Sequence, residues 1–83
     1  MSPEDVEEGE RLKAEIDRLT NRQELVMDTM KEHQSSVFNL VAQNANDELI
    51  EENRNLATFY YESFLDLTIQ IGRLTTRLEA LAK

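Results

Sequence analysis

The stretch from Asn55 to Gly72, NLATFYYESFLDLTIQIG, carries large apolar side chains on two opposite sides of what its spacing predicts to be one helix. On one side, Tyr60, Phe64, Leu67, Ile71, Leu74, Leu78 and Leu81 follow alternating intervals of four and three, the a/d seam of a coiled-coil-like helix. On the other, Tyr61, Leu65 and Ile69 run at intervals of four, with Phe59 and Leu56 at their flank. A helix apolar on both sides is expected to be covered on both sides. At about 1.5–3 kcal/mol for each fully buried large side chain, leaving the second row in water forfeits several kcal/mol, a large share of a small fold's stability. Gly72 follows that row and would let a neighbouring backbone approach closely. The second row predicts a further helix beyond the first partner, and Phe59, Tyr61, Leu65, Ile69 and Gly72 are the expected protein interface.

A first seam precedes it: Leu12, Ile16, Leu19, Gln23, Val26, Met30, His33, Val37 and Leu40, again at alternating fours and threes. Extended forward, its phase puts an a position at Asn44, whereas the second seam projected backward puts a positions at Ala57 and Ile50. The phase slips by one residue, which a continuous parallel coiled coil accommodates poorly, since its usual interruptions are insertions of three or four. The slip falls in Gln43-Asn44-Ala45-Asn46-Asp47-Glu48. Asn44 can close a helix in the left-handed conformation, and Asn46 or Asp47 can cap the next one. Folding back about Ala45 sets Leu12 against Leu78, Ile16 against Leu74, Leu19 against Ile71, Gln23 against Leu67, Val26 against Phe64, Met30 against Tyr60, His33 against Ala57 and Leu40 against Ile50.

The expected fold is therefore all-α: one domain over residues 1–83, a long antiparallel helical hairpin with a helix over about 3–43, a turn at about 44–47 and a helix over about 48–82. Ser2-Pro3-Glu4-Asp5 starts the first helix, with serine as cap, proline at the first position and acids at the positive end of the dipole. The competing architecture is a single long helix in a multimer. A two-helix hairpin has one seam and little core, so completion into a four-helix bundle by self-association or by a helical partner is expected.

Composition limits the function. The chain has 83 residues, 40% hydrophobic, and no cysteine, which excludes disulfide stapling, thiolate catalysis and Cys-based metal ligation. No apolar run reaches the length of a membrane span, and the acidic start is unlike a signal sequence, so an intracellular, cytoplasmic protein with no membrane association is expected. A net charge of -8 disfavours direct nucleic-acid binding. His33, the only histidine, lacks converging ligands and reads as a partly buried seam residue. Gln23 and Asn53 interrupt apolar layers. Gln23 would meet Leu67, which offers no hydrogen bond, so its partner is expected to come from another subunit. The acids at Glu4, Asp5, Glu7, Glu8 and Glu10, and at Asp47, Glu48, Glu51 and Glu52, cluster at helix starts, where the dipole and solubility explain them. No phosphate loop, nucleophile constellation or metal cluster is present, so no catalytic, cofactor or metal site is expected. The reading that remains is a protein–protein interaction module, an adaptor, co-chaperone or subunit of a larger helical complex, whose partner is another helical protein, itself, or both, with a homodimer favoured. The alternatives are a self-contained homo-oligomeric four-helix bundle and an acidic inhibitory mimic such as a phage-type regulator.

Overall fold

The computed structural model describes residues 2–82, and two long helices account for nearly all of them. Helix α1 spans Pro3–Ala42 and helix α2 spans Asp47–Leu81, packed along each other as an antiparallel hairpin. The result is a rod of 63 × 14 × 13 Å. The hydroxyl of Ser2 accepts from the Asp5 amide at 3.2 Å, with Pro3 in the first turn, so the chain start is capped by the residue types that suit an unpaired amide end.

The turn is built by two asparagines. Asn44 has a φ of 56°, in the left-handed region that asparagine enters more readily than most residues. The Ala45 amide donates to the Leu40 carbonyl at 2.9 Å and the Asn44 amide to the Val41 carbonyl at 3.1 Å. These are the two bonds of a Schellman closure, and they satisfy carbonyls that a bare helix end would leave open. Immediately afterwards the Asn46 side chain accepts from the Leu49 amide at 2.9 Å and starts α2. Because Asn46 rather than Asp47 takes the cap, α2 begins one residue earlier than the spacing suggests, and α1 ends one residue earlier because Gln43 is its C-cap.

The core is a single line of side chains. Leu12, Leu19, Met30 and Leu67 are buried, and Ile16, Val26, His33, Val37, Leu40, Ile50, Ala57, Tyr60, Phe64, Ile71, Leu74, Leu78 and Leu81 are half-buried along the same seam. Two helices can enclose a row but not a volume, so most seam residues keep one edge in water.

One layer of the seam holds a contact that pairing His33 with Ala57 does not include. The His33 imidazole stacks on the Tyr60 ring, with centroids 5.5 Å apart and planes 7° from parallel. Side chains on antiparallel helices lean toward neighbouring turns, so a ring long enough to reach the adjacent layer meets Tyr60.

Candidate interaction surface

The seam divides the rod into two long flanks of different chemistry. Tyr60 sits on the seam, and one residue to either side rotates by about 100°. Phe59 and Tyr61 therefore point to opposite flanks. The grooves between the helices agree with this division. Phe59 lines one together with Arg18, Arg22, Ser63 and Asp66, whereas Tyr61 lines another together with Gln34, Arg54 and Thr58.

The flank of Phe59 is charged. Arg77 of α2 reaches Glu8 of α1 at 3.1 Å, and Arg11 lies 3.6 Å from the same carboxylate. Arg18 holds Glu15 through two hydrogen bonds, one of 3.0 Å, and this guanidinium keeps the Glu15 carboxyl below the ordinary carboxylate range and is itself raised in turn. The sequence reading did not anticipate the Glu8–Arg77 pair, which ties the two helices together. The arginines are largely exposed and Glu8 is half-buried, and surface pairs of this kind contribute little to stability. Leu25, three residues beyond Arg22, joins this flank, as does Leu56, three residues before Phe59.

The flank of Tyr61 is neutral along most of α2. Leu65, Ile69 and Gly72 follow Tyr61 at helical spacing, and Thr58, Thr68, Thr75 and Thr76 fill the gaps between them. Tyr61, Leu65 and Ile69 are 48%, 42% and 52% exposed. The threonine hydroxyls donate to their own helix: Thr58 to the Arg54 carbonyl, Thr68 to Phe64, Thr75 to Ile71 and Thr76 to Gly72, at 2.8–3.0 Å. With their hydroxyl hydrogens directed inward, the threonines can be covered without stranding a donor. A side-chain carbon placed on Gly72 would meet nothing within 4 Å, so the hairpin itself makes no use of this glycine.

Of the five residues assigned to one interface, four share this flank and Phe59 does not. Phe59 rests edge-on against Tyr60, with ring centroids 5.3 Å apart. Conversely, the α1 side of the neutral flank carries two residues absent from that assignment. Phe38, 74% exposed, and Val41 lie four and seven residues beyond Gln34 and so on the same face. The signal was present in the spacing from Gln34, but Val37 and Leu40 of the seam lie beside these residues in sequence and account for the local apolar density.

Gln23 also differs from expectation. Its Nε2 donates to Thr68 Oγ1 at 2.6 Å and to the Phe64 carbonyl at 3.3 Å, both within the same hairpin. The amide is satisfied by the residue one position past Leu67, so no second subunit is required for it. Asn53 donates to the Leu49 carbonyl of its own helix at 3.1 Å. The acidic clusters at the two helix starts lie at opposite ends of the rod, because the helices are antiparallel. Among the described residues no group of three or more His, Asp or Glu side chains is placed to hold a metal ion, and no described helix is long and apolar enough to cross a membrane.

Comparison with protein-family models finds no match, and comparisons with curated proteins and with solved structures find no significant similarity.

Proposed function

We propose that this protein is a helical interaction module, an adaptor, co-chaperone or subunit of a larger helical assembly, which docks other helices on its neutral flank. The observation that carries this reading is the exposed row Tyr61, Leu65 and Ile69, uncharged and continued by threonines whose donors are already satisfied. The opposite flank carries the Glu8–Arg77 and Glu15–Arg18 pairs with only scattered apolar groups, whereas the Glu51–Arg54 pair of the neutral flank, 3.4 Å apart, lies toward the turn, outside the row. A partner helix lying along Tyr61, Leu65 and Ile69 would cover aromatic and aliphatic area, with Gln34 and Arg54 at the turn-side edge of the contact. The same contact would complete a four-helix bundle if the partner is itself a helical pair. Tyr61 is the expected anchor, since a tyrosine brings large area with few rotatable bonds.

A photo-crosslinking residue at position 65, compared with one at the solvated position 7, tests the reading in the cell. Crosslinks from position 65 to a helical segment, identified by mass spectrometry and abolished by Ile69→Glu, are expected. Equal crosslinking from both positions, or none from position 65, would sink it. The double variant Leu65→Glu/Ile69→Glu should keep its helicity, because the seam at Phe64, Leu67 and Ile71 is untouched, while an unpaired carboxylate in the contact abolishes docking.

A further inference from the structure

We propose that the helix docking on the neutral flank is α2 of a second copy of this chain, lying antiparallel to the first about a two-fold axis near Leu65. This inference rests on the interaction reading above and names the partner. Three observations select this occupant.

The first is position. Leu65 is the middle residue of the row from Tyr61 to Ile69 and lies one residue from the midpoint of α2, Asp47–Leu81. A two-fold axis at that point overlaps the two helices along nearly their whole length. A stripe centred elsewhere would leave the end of one rod hanging past the other.

The second is shape. The axis brings Tyr61 of one copy to the level of Ile69 in the other, and Thr58 to the level of Gly72. A mid-helix glycine destabilises its helix relative to alanine, and nothing in the hairpin occupies the space above this one. A symmetric contact assigns the gap to the Thr58 side chain of the second copy and explains why a helix otherwise free of glycine has one there.

The third is charge. The turn half of the rod, residues 24–66, has nine acids against two basic residues, a net charge of -7. The other half, residues 2–23 with 67–82, has eight acids against six basic residues, a net charge of -2. Packed helices lie about 8–10 Å apart, close to the screening length of about 8 Å at physiological salt, so these charges still act on one another. A parallel pair would lay the two strongly acidic halves side by side. The antiparallel pair sets each beside the half that holds six of the cations, and a chain reversed on itself supplies this match without a foreign partner. Closed two-fold pairs of this kind are the commonest homo-oligomers.

The absence of cysteine makes a single label clean. A nitroxide on Glu48→Cys, an exposed position near the turn, reports the orientation directly by pulsed dipolar spectroscopy on the full chain. The antiparallel pair places the two labels 34 residues of axial rise apart, roughly 50 Å at 1.5 Å per residue, with sedimentation giving twice the chain mass. A distance under about 20 Å, set by neighbouring helix spacing, would mean a parallel pair and overturn the proposal. A monomeric mass at high concentration would also overturn it. In that case a position-65 crosslink to a different helical protein leaves the interaction reading standing, and no such crosslink removes both. Gly72→Ala supplies a second measurement that does not depend on the label. Helicity is expected to hold or rise while self-association weakens about tenfold, because a methyl group enters a filled contact. Unchanged association would overturn the assignment of that gap to a second copy.

Discussion

Gln23 occupies a seam position that its neighbours fill with leucine, valine and methionine, and it is satisfied there by a donor–acceptor chain. Its amide donates to the Thr68 hydroxyl, and that hydroxyl donates to the Phe64 carbonyl, which the amide also reaches. Removing one partner leaves the other with a group to satisfy in a half-buried place, so the two residues should be energetically coupled. We expect Gln23→Ala and Thr68→Val each to lower the stability of the hairpin by about 0.5–1.5 kcal/mol in urea unfolding. The double variant should cost less than their sum, and strictly additive losses would contradict the pairing. This bond could not be read from sequence. Seam arithmetic aligns Gln23 with Leu67 and treats a layer as a pair, whereas the amide is long enough to pass Leu67 and find the next residue.

At the scale of elements, the turn is the best-specified part of the chain. Asn44 supplies the left-handed residue, Asn46 the cap, and the pair fits two helix ends into four positions, 43–46. Asn44→Ala should destabilise, by less than the about 1–2 kcal/mol that a Cβ costs against glycine in that conformation, because alanine keeps the Cβ and loses the short polar group that eases asparagine into it, whereas Asn44→Gly should be tolerated. Asn46→Ala should cost about 1 kcal/mol through the lost cap. Equal midpoints for alanine and glycine at position 44 in urea unfolding would contradict this account. These features were legible because they depend on local chemistry: a phase slip between seams and two residues with known turn preferences. The division of the flanks was legible only in part. Phe59, Tyr60 and Tyr61 read as one aromatic cluster along the sequence, yet successive steps of about 100° send them to three directions. One reaches the charged flank, one the seam and one the neutral flank. With Tyr60 on the seam, helical spacing alone sets Phe59 and Tyr61 on opposite sides, and only their adjacency along the chain makes them read as one interface. Phe38 and Val41 also follow helical spacing from Gln34, but which flank of α2 they border depends on the packed hairpin.

The whole molecule is a thin rod whose two ends differ. The turn end is held by short-range bonds, and the open end by partners far apart in the sequence, such as Glu8 and Arg77, separated by 69 positions. The Gln23 bonds near the middle close separations of 41 and 45. The difference in charge between the halves follows the same axis. It is visible in the sequence as composition, but it becomes a property of the rod's ends only once the chain is folded back about the turn.

The tight closure at 43–46 also sets an order of events in time. Contacts beside the turn close short loops, and every later contact toward the open end closes a loop already shortened by those before it, so the hairpin should assemble as a zipper from Asn44 outward. Stopped-flow kinetics at concentrations below self-association would separate the two ends. Asn44→Ala should act mainly by slowing folding, and Leu12→Ala, which removes a buried side chain near the open end, mainly by speeding unfolding. The opposite partition would place the nucleus at the open end. In the zipper order, the last step to form and the first to be lost is the open end, where the start of α1 and the end of α2 separate while the turn still holds the other half of the rod together.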